Sequence, residues 1–290
     1  MRISSLKRGV GVDRKVWCLS PSGYRRREHV VRLPSGHSAS QTPEGLWEVR
    51  NPAARTSLVE IRRQVFEEPA PVVLGGESAW ASWGLLANGG PRPFTLGQAT
   101  WVVPPLPSTN AGQTIYLFNG LQHLDVNDDS YILQPVLTYG EYPRGSDEDA
   151  STNGGWMAGS FLVPSPHAKD PTLFVSDQMV AVKPGDVLTG RMTLESWDPL
   201  TRRCKYLCEF VGLAGTQLHI ETPFLEQCVV SLELWNLTDT NEMPAGGTST
   251  AFRLLATAVD GHDVAGGWQP QGLWSAVVKD AAEVDVTYPT

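Results

Sequence analysis

With 290 residues and a mass of 31.6 kDa, the chain has room for one large β domain or two ordinary domains. Hydrophobic residues make up 41% and charged residues 19%, which excludes a disordered polymer. The net charge of -8 is unevenly spread: residues 1–32 hold nine Lys or Arg against Asp13 and Glu28, a net +7 that leaves -15 for the rest. An acidic body of that kind argues against a nucleic-acid binder that coats phosphates.

No apolar run approaches the length of a membrane span, so no membrane partner is expected. Residues 1–20 carry basic residues without a continuous apolar stretch. No secretory signal is visible there, and a cytoplasmic location is the default expectation. Residues 1–74 read as a basic, irregular N-terminal region that lies against the acidic body or covers its groove. One short helix is expected in it at Ser57–Phe66, where Ser57-Leu-Val-Glu60 has capping-box spacing and Leu58, Ile61 and Val65 share a helical face. Pro69 and Pro71 close that stretch.

From Trp80 onward, short alternating runs are broken by Gly, Pro, Asn and Asp, the pattern of an antiparallel β-sandwich over residues 75–290. The expected strands are Ala79–Leu86, Gln98–Val103, Thr114–Asn119, Tyr131–Tyr139, Gly155–Val163, Leu173–Val175 and Met179–Val182. They continue with Val187–Ser196, Lys205–Gly212, Gln217–Thr222, Cys228–Asn236, Ala251–Val259 and a final Ala276–Val286. Pro184-Gly185-Asp186 is a turn, with Pro presetting φ and Gly free to take a positive one.

Several chemistries are excluded or weakened by spacing. The sequence has no HExxH, no GxSxG and no CxxC, and its six histidines are scattered singly. Gly185-x4-Gly190 lacks the Lys-Ser/Thr of a phosphate loop. Asp125-Val-Asn127-Asp128-Asp129 opens like a calcium loop, but Ser130 stands where Gly is needed and Val136 where a bidentate Glu is needed. No metal and no cofactor are therefore expected. Asp147-Glu148-Asp149 reads as a solvated loop, and Asn236-Leu-Thr238 is a sequon relevant only to a secretory compartment. Cys18, Cys204, Cys208 and Cys228 are expected as reduced core thiols, with a Cys208–Cys228 bridge as the rival pairing.

One ordered series stands out. It runs Trp83-Gly84, Ala99-Thr-Trp-Val-Val-Pro104, Ile115-Tyr-Leu-Phe-Asn-Gly120, Ile132-Leu-Gln134, Gly155-Trp156, Val182-Lys-Pro-Gly-Asp186 and the strand Cys228–Trp235. In order and spacing, over roughly residues 79–260, it resembles the glutamic peptidase (eqolisin) family. That resemblance implies a concanavalin-like sandwich of two curved sheets, with a Gln and a Glu paired across a concave face. The carboxylate would activate water and the amide would stabilise the oxyanion.

The family's Gln falls on Gln134, which alternation places on one face with Ile132, Val136 and Thr138. Its Glu falls on Val229, so the catalytic Glu is missing from its family position. Glu233 shares that face about 13 Å further along the strand and is the candidate substitute, with Glu226 the other nearby candidate. Trp83, Trp101, Asn119 and Trp156 are the expected binding residues of the groove, with core packing the rival account of the tryptophans. The favoured function is a groove that binds an extended peptide, a glycan or a small molecule. The alternatives are an acid endopeptidase using Gln134 and Glu233, or a lyase or cyclase acting on a small molecule in the same groove.

Overall fold

The computed structural model describes residues 16–21, 23–42, 45–51, 80–123, 130–144, 151–165, 168, 170–264 and 267–289, and residues 58–61 through their backbone. The first strands are β1 (Trp17–Ser20), β2 (Gly23–Arg26), β3 (Val30–Leu33), β4 (Ser38–Gln41), β5 (Trp47–Arg50) and β6 (Leu58–Ile61). Next come β7 (Trp80–Ala87), β8 (Leu96–Val102), β9 (Thr114–His123), β10 (Tyr131–Glu141), β11 (Ser151–Pro164), β12 (Leu173–Ser176) and β13 (Val180–Val182). They are followed by β14 (Val187–Asp198), β15 (Arg203–Phe210), β16 (Leu218–Pro223), β17 (Gln227–Trp235) and β18 (Ser249–Val259). The last are β19 (His262–Asp263), β20 (Gln269–Gln271), β21 (Val277–Asp280) and β22 (Glu283–Thr287). Among the described residues there is no α-helix, only short 3-10 turns at Arg27–His29 and Thr240–Glu242.

The strands form an all-β sandwich. One sheet has nine described strands in the order β20-β7-β17-β9-β10-β11-β12-β3, with β13 added beside β11. The other has eleven, ordered β21-β22-β18-β8-β14-β15-β16-β4-β5-β6, with β19 added beside β18. Pairing is antiparallel except at two places, where β3 joins β12 and β4 joins β16 in parallel. Both exceptions come from the N-terminal region, which the sequence presents as irregular. Here it supplies strands to both sheets.

The expected helix at Ser57–Phe66 is corrected in the same way. Leu58–Ile61 is strand, in register with β5 through Val49–Val59 and Trp47–Ile61, and the rest of that stretch lies outside the described residues. The final expected strand, Ala276–Val286, is a hairpin of β21 and β22. The turn at Pro184-Gly185 forms as expected: the Asp186 N–H donates to the Lys183 carbonyl at 3.0 Å and Gly185 takes φ +91. The expected loops at Asp125–Asp129 and Asp147–Asp149 lie outside the described residues. All four cysteines are free and buried.

Two apolar clusters follow from strand alternation. The larger lies between the sheets, where Ile115, Leu117, Leu133, Leu137 and Leu162 of the nine-stranded sheet meet Trp101, Met192, Tyr206 and Phe210 of the other. The smaller lies on the opposite, outer face of the nine-stranded sheet. It joins Tyr116, Phe118, Ile132, Val136, Phe161 and Val229 to Cys18 and Val30 of the N-terminal strands. Both faces of this sheet are therefore dry. In β9 and β10, buried residues run without a gap from Thr114 to Gln122 and from Tyr131 to Tyr139.

Candidate functional site

The outer face of the nine-stranded sheet carries several buried polar side chains. In β10, Ile132 and Val136 belong to the outer cluster, so Gln134 and Thr138 point the same way. Gln134 is 0% exposed, and neither its amide nitrogen nor its amide oxygen has a hydrogen-bond partner. The Thr138 and Ser231 hydroxyls on this face are also buried without partners. Each such group forfeits about 1–3 kcal/mol of hydration, as do the Trp101 and Trp156 indoles in the inter-sheet core.

The register fixes which residues can act together. Ile132 pairs with Gln122 and Val136 with Phe118, so Gln134 lies across from Gly120, which in turn pairs with Val229. The side chain two strands from Gln134, about 10 Å away, is thus the fully buried Val229. Glu233 belongs to another row, pairing with Trp80 on one side and Tyr116 on the other, while Tyr116 pairs with Thr138. The two rows stand four residues apart, about 13 Å along the strands. Gln134 and Glu233 share a face, and the register keeps them from meeting at one reacting atom.

Glu233 is itself 0% exposed, and its Oε1 accepts a 2.6 Å hydrogen bond from the Trp235 indole. Around it stand Trp80, packed edge-on against Trp83 at 5.6 Å and against Phe118 at 5.8 Å, and the buried Tyr116. Tyr116 donates its hydroxyl to the Glu141 carbonyl at 3.0 Å. Burial, and then the negative charge of Glu233, push the Tyr116 pKa well above its ordinary value.

The expected binding residues divide sharply. Trp83 pairs with Ser231 on the outer face and is partly exposed. Trp101, Asn119 and Trp156 do not lie on this face. Trp101 packs between the sheets against Phe210 and Phe252, at ring separations of 5.5 and 4.9 Å. Trp156 packs against Tyr139 within the same core. Asn119 points inward and donates to the Gly190 carbonyl at 3.2 Å. A side chain at Gly190 would meet the Asn119 oxygen at 2.4 Å, so glycine there allows the two sheets to approach.

The face is covered rather than open. The β1–β2 hairpin brings Cys18 into the outer cluster, and Tyr24 meets Trp235 edge-on at 6.3 Å. Arg25 of the same hairpin is 3% exposed and donates to the carbonyls of Pro164 and Ser165 at the end of β11. Burial lowers the Arg25 pKa to about 10, opposed by the neighbouring Cys18 and Glu233. Burial likewise pushes the Cys18 thiol up to about 11, so it stays protonated near neutrality. Sequence alone did not single out Arg25, Tyr116 or Trp235. For Trp235 a signal was present, since its i,i+2 spacing from Glu233 in a strand puts both on one face.

The sequence matches no protein-family model and no curated protein. Among solved structures, it is similar to scytalido-glutamic peptidase with a peptide-based transition-state analog, at TM-score 0.43 and 15% identity. It is also similar to scytalido-glutamic peptidase with a transition-state analog inhibitor, at TM-score 0.44 and 14% identity. A third is SCP-B, a member of the eqolisin family of peptidases in a complex with the tripeptide Ala-Ile-His, at TM-score 0.42 and 14% identity. Each overlay covers 72% of this chain and 98% of the other.

Proposed function

We propose that this protein is a binding module without peptidase activity, whose nine-stranded sheet holds an extended polypeptide on its outer face when the β1–β2 hairpin is displaced from it. The observation that carries this reading is the register: Val229 occupies the position across Gly120 from Gln134, and Glu233 lies four residues away along its strand. Hydrolysis by an amide–carboxylate pair needs both groups within hydrogen-bond reach of one water and one carbonyl. An offset of about 13 Å does not allow that. A polypeptide is favoured over a glycan because the face already accommodates one. The chain's own β1–β2 hairpin lies on it, joined by backbone carbonyl contacts to Arg25 and by the Tyr24–Trp235 edge contact.

The test has two arms, both using the full chain. Pure protein incubated with unfolded casein from about pH 3 to pH 8 is expected to leave it intact. The protein is also expected to bind immobilised extended peptides and to ignore a panel of oligosaccharides. Acid proteolysis that disappears in Glu233→Gln would overturn the reading in favour of a peptidase, and binding to sugars alone would overturn the choice of ligand.

A further inference from the structure

The outer face of the eleven-stranded sheet, on the other side of the sandwich, carries a row of side chains suited to nucleophilic chemistry. We propose that Ser38, His219 and Glu195 act there as nucleophile, base and orienting carboxylate, and that they cleave activated carboxylic esters through an acyl-Ser38 intermediate. This activity is independent of the peptide-binding face.

Strand pairing puts the groups in line. β15 lies between β14 and β16, and β4 lies on the far side of β16. His219 of β16 is in register with Ser38 of β4, and Ser38 with Arg50 of β5. The next pair along, Ile220 and Ala39, is buried in the inter-sheet core, so alternation turns His219 and Ser38 outward together. Neighbouring strands stand about 4.8 Å apart, which leaves the Ser38 Oγ a rotamer change from the ring. On its other side, His219 Nδ1–H donates to Glu195 Oε1 at 2.8 Å. Glu195 sits where β14 bulges against β15 between Leu194 and Ser196. A bulge re-aims a side chain, and this one lets the carboxylate reach over β15 to the ring.

The chemistry follows from that contact. An ionised carboxylate only accepts, so Nδ1 carries the proton and Nε2 of the neutral ring keeps the lone pair. The two nitrogens point to nearly opposite sides of the ring. With Nδ1 held toward β14, the lone pair is directed to the β4 side, where Ser38 stands. A serine hydroxyl is a weak nucleophile until a base so placed takes its proton. Ser38 Oγ attacks the ester carbonyl carbon as Nε2 takes the hydroxyl proton. The oxyanion that forms faces Arg50, whose guanidinium gives one N–H to Glu48 at 2.6 Å and has others to offer. The bond to the leaving oxygen then breaks, and that oxygen takes the proton from Nε2. Water repeats the sequence, releasing the acid and restoring Ser38. Side-chain exposures of 32% at His219, 40% at Glu195 and 61% at Arg50 leave the row open to a substrate. An open face does not exclude water, so it suits esters with a good leaving group rather than peptide bonds.

The test treats the full chain with a fluorophosphonate, which loses fluoride as an activated serine oxygen bonds to its phosphorus, and maps the adduct by mass spectrometry. Hydrolysis of p-nitrophenyl acetate is followed alongside. The adduct is expected on Ser38 and not on Ser40, which shares its face of β4 but pairs with Glu48. That comparison lies within the unaltered chain, so it decides even if a variant does not fold. His219→Gln should slow the labelling of Ser38 by about 10²-fold, the lower end of a general base's contribution. Ser38→Ala should lose the saturable ester hydrolysis. Glu195 is a positioning residue, so Glu195→Gln should lower kcat by about tenfold or more and leave KM unchanged. No adduct on Ser38, equal adducts on Ser38 and Ser40, or unchanged labelling in His219→Gln would overturn the proposal.

Discussion

Asp170→Ala tests whether the early strands are part of the sandwich or lie loosely against it. Asp170 is 8% exposed. Its Oδ2 accepts from the Trp47 indole at 2.5 Å and from the Gln41 amide at 3.2 Å, and its Oδ1 accepts from the Thr172 N–H at 3.0 Å. Gln41 closes β4, Trp47 opens β5, and the Trp47 ring packs on Phe174 of β12 at 4.6 Å. One carboxylate thus fastens strands of the eleven-stranded sheet to the segment that leads into the nine-stranded one. Alanine would orphan the buried Trp47 indole N–H and the Thr172 N–H, while the Gln41 amide keeps its bond to the Gly45 carbonyl. At about 1–3 kcal/mol for each orphaned buried group, and less where water can reach, the expected loss is roughly 2–4 kcal/mol. Urea unfolding followed by tryptophan fluorescence measures it. A cycle with Trp47→Phe, which keeps a ring and removes the donor, should give a coupling of about 1.5–3 kcal/mol, as for a hydrogen bond to a charged group. If the two changes add independently and Asp170→Ala costs under about 0.5 kcal/mol, the N-terminal strands are not fastened as described.

Three further outcomes follow from local chemistry. Burial lowers the His29 pKa below its usual 6.5, with the charge of Glu28 opposing. The fold therefore favours the neutral ring, and its contribution is present above pH 6.5 and lost as pH falls through the depressed value. Amide exchange over residues 17–33, corrected for intrinsic rates, should accelerate on acidification from about pH 7 to pH 5, and His29→Gln should flatten that response. Gly140→Ala places a Cβ 2.3 Å from the Gln113 carbonyl at a residue with φ +99, and should cost at least about 2 kcal/mol in the same urea assay. Burial raises the thiols of Cys18 and Cys204 to about 11 and Cys228 to about 12, and raises Cys208 further. At about pH 8 the native chain should resist alkylation at all four cysteines and react at all four once unfolded.

The sandwich strands were legible because turn residues punctuate them, and Thr114–His123, Tyr131–Glu141 and Gln227–Trp235 all fall where alternation predicts. The choice of face was not legible. In a sheet buried on both sides, Tyr116 and Ile115 are equally apolar, so period-two alternation separates two sets of residues without saying which set looks inward. Asn119 and Trp156, on strands of that sheet, face the inter-sheet core. Leu58–Ile61 was misread because Leu58 and Ile61 also fit a helical spacing. The β-branched Val59 and Ile61 suit a strand beside β5, and that preference depends on a neighbour that sequence does not reveal. Gln134 lies on one face with Ile132 and Val136, and Glu233 stands four residues beyond Val229, both as alternation along the strand gives; that Val229 is the side chain across from Gln134 depends on cross-strand register, which a single sequence does not specify.

The two parallel pairings impose an order on assembly. β3 and β4 leave the ribosome early, yet their partners β12 and β16 are made much later, and the Gln41–Asp170 bond spans 129 positions. Contacts over such separations close slowly, because the intervening chain must first give up its freedom. β3, and the edge of β4 that faces away from β5, must therefore wait with backbone donors and acceptors unpaired until the later sheets exist to receive them. Nascent chains halted before residue 173 would expose those edges to any neighbour, and aggregation during synthesis is expected to peak in that interval.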